Sequence, residues 1–450
     1  MLTVLANPTY RRLFTAQVIA LVGTGLSTVA LGLLAYDLAG PDAGAVLGTA
    51  LAIKMVAYVG VAPLAGALAA RLPRKPLLIG LDAVRAGIAA CLPWVDQVWQ
   101  VHALVFLLQA ASAAFTPTFQ ATIPEVLVDE RDYTRALSLS RLAYDLESLL
   151  SPVLAAAALA VVTHDALFAG TTLGFTASAL LVLAAALPAT RAARVADRTL
   201  AATTRGLRTY LATPRLRGLL AVHLAAAAAG SVVLVNTVPH VRGALGLGDT
   251  AVAVALAAYG LGSLVAALAL PRVLDRHRDR SVVLRACAGL TAVLALAVPA
   301  TALPDPARWP VLLSLWALLG AGCSLVLTPG GRLLRRSAHP DHLPAVFAAD
   351  FSLSHACWLL CYPLAGALGA ATTMPVTLVC LGAVALAATA AAHRSWPADD
   401  PEALEHDHDP DHDRAHLEGA TPVDGRLRHT HAYRIDDLHT RWPAHAGRKP

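Results

Sequence analysis

The sequence predicts an all-α membrane protein: twelve transmembrane helices in two pseudo-symmetric six-helix bundles, followed by a disordered cytoplasmic tail. Three observations predict it. The chain of 450 residues is 56% hydrophobic and only 14% charged, with a mean hydropathy of +0.59, which is too much apolar surface for a soluble protein. Its apolar runs are about 20 residues long, enough to cross roughly 30 Å of hydrocarbon. Landmarks of the first half also return in the second: Thr116-Pro117 as Thr328-Pro329, and Pro152 as Pro363. Two matches at nearly one offset indicate an internal repeat.

The twelve predicted spans fall at 13–36, 45–69, 77–94, 101–122, 139–162, 166–188, 217–239, 251–271, 282–303, 310–328, 345–369 and 374–392. This divides the chain into an N-terminal bundle (1–190), a basic linker (191–216), a C-terminal bundle (217–394) and a tail (395–450). The linker carries Arg191, Arg194, Arg198, Arg205, Arg208 and Arg215, with Arg217 just beyond it.

The net charge of +5 does not point to nucleic acid, because the cations sort by loop. One side holds Arg11, Arg12, Arg71, Arg74, Lys75, Arg131, Arg135 and the linker, then Arg272, Arg276, Arg278, Arg280, Arg332, Arg335 and Arg336. The opposite loops hold Arg242 and Arg308. That distribution places both termini in the cytoplasm of a multi-pass protein of the cell membrane. The first apolar run is too long for a signal peptide and reads as a retained helix. Cys91, Cys287, Cys323, Cys357, Cys361 and Cys380 lie in or beside apolar segments, which excludes a secreted disulfide framework. No phosphate loop, His-Glu-x-x-His or Gly-x-Ser-x-Gly motif occurs, so ATP-driven pumping and hydrolysis have no seat and the chain does not read as an enzyme.

Polar residues inside the spans mark the faces that turn away from lipid. Gln17, Thr24 and Thr28 lie near one face of the first span, and Gln109, Ser112 and Thr116 follow helical spacing in the fourth. They are cavity candidates, with hydrogen bonding between helices as the plain alternative. Small residues such as Gly23, Gly25 and Gly60 serve close helix packing. His223 and Asn236 are further cavity candidates in the seventh span, while His240 near its outer end is explained by solvation.

The loop before the third span reads Gly66-Ala67-Leu68-Ala69-Ala70-Arg71-Leu72-Pro73-Arg74-Lys75, and the span itself carries Asp82 and Arg85. This run resembles the cytoplasmic signature loop of the major facilitator superfamily, G-x-x-x-D-R-x-G-R-K. Gly66, Arg71, Arg74 and Lys75 match. Ala70 replaces the usual aspartate and Pro73 the usual glycine, which leaves the charge relay incomplete. Asp82, three residues before Arg85 on the same helical face, is the candidate replacement carboxylate. The style of Ile123-Pro124-Glu125-Val126-Leu127 resembles the branch of macrolide and siderophore exporters. The resemblance implies two bundles rocking about a midplane site, lined by the first, fourth, seventh and tenth spans.

Asp145 and Glu147 in the fifth span, and Asp350 and His355 in the eleventh, are the proton-coupling candidates, because ionisable groups at such depth are costly and usually functional. An Arg141–Asp145 pair that locks the helix end is the plain alternative. Asp350, Ser354, Cys357 and Cys361 form one stripe beside His355, a donor set suited to a soft or borderline divalent metal. Cys357 and Cys361 serve equally as small apolar fillers. The tail holds His406, His408, His412, His416, His429 and His431, interleaved in part with aspartates, a composition that binds nickel, cobalt or zinc without fixed geometry. Its composition also predicts disorder, although its apolar residues near Tyr433 and Trp442 could dock on the cytoplasmic face.

The expected function is therefore secondary active transport, by proton-coupled efflux of a small organic compound such as a drug, natural product or siderophore. A divalent metal exporter using the tail is the alternative, and a membrane metal sensor or scaffold the second. No cofactor is required, with a divalent metal at the tail as the one candidate. Expected partners are the bilayer, protons and the transported solute, and the expected state is a monomer.

Overall fold

The computed structural model describes residues 2–61, 72–127, 157–187, 199–339 and 342–400 continuously. It also describes 129, 132, 136, 139, 140, 143, 147, 151, 153–155, 403–408, 421–423, 426–435, 439 and 442.

The chain begins with a capped helix, α1 (Pro8–Ala39), in which Asn7 accepts from the amides of Thr9 and Tyr10 at 3.0 and 3.1 Å and Pro8 fills the first position. Gly40, at a positive φ of 52°, ends it because that backbone region costs glycine nothing. A short turn leads to α2 (Ala43–Val56), which continues as a π-helical segment, Ala57–Val61. Then come α3 (Arg74–Cys91), α4 (Val98–Val126) and α5 (His164–Ala184). The described residues within 132–159 are mostly helical.

The second half starts with α6 (Thr199–Ala212), a helix inside the predicted linker, and passes through Thr213 into α7 (Pro214–Val238). It continues with α8 (Asp249–Leu274), α9 (Asp279–Ala300), α10 (Asp305–Leu327), the short α11 (Gly330–Ser337), α12 (Leu343–Ala371) and α13 (Met374–Ser395). Among the described residues, ten helical stretches are long and apolar enough to cross a membrane. The first of these, Pro8–Gly60, contains both α1 and α2.

Helices α1, α3, α4 and α5 pack together, as do α7 to α10 and α13, while α2 and α12 cross from one group to the other. Their crossing is close because of glycine. A side chain at Gly48 would meet the Tyr362 carbonyl, and one at Gly366 would meet the Gly44 backbone. In hydrocarbon, such small-residue contacts supply the packing that water exclusion cannot. Helix α7 is buried along nearly its whole length, with Ala225 to Ala229 fully enclosed.

Helix α6, the start of α7 and the described strands of the tail lie at one end of this arrangement, called here the basal end. At the far end, four groups tie the halves together. Arg242 reaches Asp37 at 2.7 Å and Asp249 at 3.4 Å, while His164 lies 3.2 Å from Asp37 and 3.7 Å from Asp249. The Arg242 guanidinium also covers the Tyr36 ring at 4.4 Å.

The tail corrects an expectation. Predicted to be disordered, its described residues form β1 (Ala403–His408), β2 (Thr421–Val423) and β3 (Arg426–Ala432), antiparallel in the order β1-β3-β2. The physical reason is a small core that composition alone concealed: Leu404, Tyr433 and Ile435 are buried together, with Ala212 of α6 and Trp442 against them. Asp400 anchors the approach to this sheet, 3.5 Å from Arg215 and 3.3 Å from Arg336, and it accepts from Trp396 Nε1 at 3.0 Å. Trp442 lies beneath the Arg215 guanidinium at 5.1 Å, so the apolar residues of the tail do dock at the basal end.

Candidate functional site

The site is assembled from ionisable residues that each half carries into the membrane. Lys54 stands in α2 eleven residues after the helix starts, about 16 Å along it and so near mid-bilayer. Glu147 is the carboxylate that acts on it electrostatically, and Ser151 Oγ donates to Glu147 Oε1 at 3.4 Å. Gly25 of α1 makes room for both, since a side chain there would collide with Ser151 and approach Glu147. The Lys54 ammonium lies 5.9 Å from the centre of the Tyr58 ring. Tyr58 sits in the π-helical segment, a backbone irregularity often found at functional positions.

Tyr58 carries the cluster across to the other half. Its ring is 5.6 Å from that of His355 and 6.1 Å, edge-on, from that of Phe351, both on α12. His355 stacks on Phe351 at 3.9 Å, and its Nδ1 is 2.6 Å from the Phe351 carbonyl. One residue before Phe351, Asp350 faces α6 and α7. Tyr210 donates its hydroxyl to Asp350 Oδ1 at 2.9 Å, and His223 Nε2 lies 3.3 Å from the same oxygen. Burial makes these contacts consequential: Tyr210 is fully enclosed and His223 only 6% exposed. Neither ring nitrogen of His223 has a hydrogen-bond partner among the described residues, so its approach to Asp350 is a close contact without hydrogen-bond geometry.

The predicted signature loop divides. Gly66 and Arg71 lie outside the described residues. Arg74 pairs with Glu125 at 2.6 Å, and Lys75 donates to the Ala185 carbonyl at 2.8 Å, where a cation complements the carbonyls at the end of α5. Asp82 meets Arg85, as its position on the same face predicts, and accepts from Ser178 at 2.7 Å. The Arg85 guanidinium is sandwiched between Phe115 at 4.1 Å and Phe175 at 4.5 Å. This group joins α3, α4 and α5.

The hydroxyls of the polar stripes are bonded in part within their own helices. Thr24 and Thr28 bond to the carbonyls of Ala20 and Thr24, and Ser112 and Thr116 to those of Leu108 and Ser112, each four residues back on its own helix. Gln17 accepts from Ser140 at 3.0 Å. Gln109 is buried, and its Oε1 has no hydrogen-bond partner among the described residues. Asn236 donates to the Ala365 carbonyl at 3.2 Å beside Gly44 and Gly369, tying α7 to the α2–α12 crossing.

The metal stripe is a correction. Cys357 contacts the Leu220 carbonyl at 3.9 Å, Cys361 is fully buried, and His355 is turned to the Phe351 carbonyl. Among the described residues, no group of three or more His, Cys, Asp or Glu side chains could hold a metal ion. Helical spacing aligned these residues along α12, but their side chains do not converge. Asp145, His412 and His416 lie outside the described residues, as do the side chains of His406, His408, His429 and His431.

Sequence reasoning missed Lys54, Tyr58 and Tyr210. Lys54 had a signal: it is an ionisable residue alone in an apolar run. Tyr210 had none, because a tyrosine on an amphipathic linker helix reads as an ordinary surface residue.

Helical spans in two packed groups, with ionisable side chains brought together where the groups meet, define a membrane transporter. The chain belongs to the Major Facilitator Superfamily, whose family model matches residues 13–234 and 219–422. Macrolide efflux protein A of Enterococcus faecalis is 28% identical over 152 residues, covering 32% of this chain and 47% of that protein. The namesake from Streptococcus pyogenes is also 28% identical, over 31% of this chain and 37% of its own length. The chain thus spans less than half of these relatives. Among solved structures, the nucleoside transporter NupG superposes with a TM-score of 0.64 at 13% identity, covering 86% of this chain and 98% of that one. A D-xylose-proton symporter gives 0.63 at 14%, covering 87% and 97%. At such identities the likeness shows the fold alone.

Proposed function

We propose that the chain is a proton-coupled exporter of a small organic compound, built from twelve spans and working by alternating access. Both termini face the cytoplasm of the cell membrane, so the far end is the outer end. The observation that carries this reading is the meeting of Lys54 and Glu147 from one half with Asp350, His223 and His355 from the other, across Tyr58. Ionisable groups placed between moving halves change their surroundings when the halves rock, which is the requirement for linking proton uptake to solute movement. The Arg242–Asp37–Asp249–His164 cluster then closes the outer side, so that a solute reaches the site from the cytoplasm. The efflux direction and the organic cargo are supported by the macrolide efflux relatives.

The test is solute flux in proteoliposomes under an imposed pH gradient, preceded by a growth panel in a sensitive host comparing macrolides and other lipophilic drugs with nickel, cobalt and zinc. Asp350→Asn is expected to reduce proton-driven flux by at least about tenfold while the protein remains folded. Unchanged flux with Asp350→Asn, or flux indifferent to an uncoupler, would sink the coupling role. Selective tolerance to metals would move the cargo to divalent cations and bring the tail histidines into the transport path.

A further inference from the structure

We infer that Tyr210 is a positioning residue that fastens the linker between the two halves to the charge of Asp350. The linker is the covalent connection between the halves, and its helix α6 runs directly into α7. Three contacts hold α6 on the first turns of α12. A side chain at Gly206 would meet the Ala345 carbonyl, so the two backbones touch there. Arg205 Nη1 lies 3.4 Å from His342 Nε2 on the exposed rim. Tyr210 then carries its ring into the protein and ends on Asp350 Oδ1 at 2.9 Å.

The groups facing Asp350 decide what this contact does. Among the described residues they include Tyr210 from α6, His223 from α7, and Cys357 and His355 along α12 itself, with Lys54 of α2 acting in turn on His355. Among the described residues, no lysine or arginine forms an ion pair with Asp350. Its charge is therefore met by a phenol and an imidazole, and the phenol can only strengthen its bond when the acceptor is a carboxylate. A proton on Asp350 turns a charge-assisted bond into a neutral one, and the difference between these classes is about tenfold in the ratio of docked to undocked helix. Tyr210 is fully buried, so its hydroxyl has no water to replace the lost acceptor strength. Proton uptake thus loosens α6 from α12 and frees the connection that the halves must bend when they rock.

The inference rests on the coupling role proposed for Asp350, but its test does not use transport. Hydrogen exchange across α6 is measured on the full-length protein in lipid nanodiscs over a pH series, for wild type, Tyr210→Phe, Asp350→Asn and the double variant. In the wild type, α6 protection is expected to fall about tenfold on the acid side. Tyr210→Phe keeps the ring and loses the donor, so protection should be low at every pH. Asp350→Asn should match it, and the double variant should lose nothing further. Asp350→Glu, which keeps the charge, should restore part of the pH dependence.

Unchanged α6 protection in Tyr210→Phe would overturn the inference, as would losses that multiply in the double variant. His223→Gln separates the imidazole: if pH dependence vanishes there and persists in Asp350→Asn, the sensor is His223 and the inference fails. A loosened linker in Tyr210→Phe, together with full proton-driven flux in Asp350→Asn, would sustain the linker contact and remove the coupling role.

Discussion

Two carboxylates, Asp82 fully buried in one half and Asp350 half-buried in the other, show how similar residues serve different ends. Asp82 is held by Arg85, a permanent cation boxed between Phe115 and Phe175, and by Ser178. Asp350 instead meets the Tyr210 hydroxyl and the His223 imidazole, neither of which is a permanent cation. The first arrangement sets a carboxylate against a permanent cation and joins three helices of a single bundle. The second sets a carboxylate against a phenol and an imidazole, and it joins the linker to two helices. A fixed cation makes a lock, and its absence beside Asp350 is what the proposed switch relies on.

The sharpest way to break this comparison is to neutralise the lock. Asp82→Asn leaves Arg85 enclosed without its carboxylate, and an uncompensated buried charge costs about 3–5 kcal/mol. Expression and thermal unfolding in detergent should report that loss. If Asp82→Asn unfolds no earlier than Asp350→Asn, the two sites are not different in kind.

A smaller effect is expected at the pair between them. Lys54→Gln and Glu147→Gln should each destabilise the protein, and the double variant should recover part of the loss, with a coupling of about 0.5–3 kcal/mol in a double-mutant cycle of unfolding temperatures. Additive losses would mean that the two charges do not act on one another. The double variant should still fail in proton-driven flux, because both groups are then neutral in every state.

The smallest effect belongs to the outer cluster. Arg242 and Asp37 are 25% and 38% exposed, so solvent screening limits each pair to about 0.2–1 kcal/mol. Arg242→Gln should therefore shift the balance between closed and open outer ends by no more than about fivefold. Distances between spin labels placed across the far end would measure it. A complete loss of closure would show that the cluster is stronger than exposed pairs allow, and no shift would show that glycine packing between α2 and α12 closes the end by itself.

Much of this was legible in the chain. Apolar run length and arginine sorting point to a membrane protein because hydrocarbon imposes length and polarity limits that no tertiary contact relaxes. Asp82 could be assigned to Arg85 because residues three apart on a helix must be neighbours. The stripe from Asp350 to Cys361 obeyed the same rule and misled, since sharing a helix face does not bring side chains to one point. The tail misled in the opposite sense: its polar composition hid the few apolar residues, Leu404, Tyr433 and Ile435, that suffice when α6 and Trp442 complete their core.

The sequence by itself determined the membrane class, most of the long apolar helices and the family, because each depends on hydrophobic length and local spacing. Only the tertiary structure decided which charges meet. Tyr210 and the Asp350 it bonds are 140 positions apart, and Tyr58 meets His355 from the other half of the chain. Their pairing depends on helix crossings set by glycine contacts and by the docking of α6. Those crossings leave no periodic trace along the chain, whereas the spans they join are written in every apolar run.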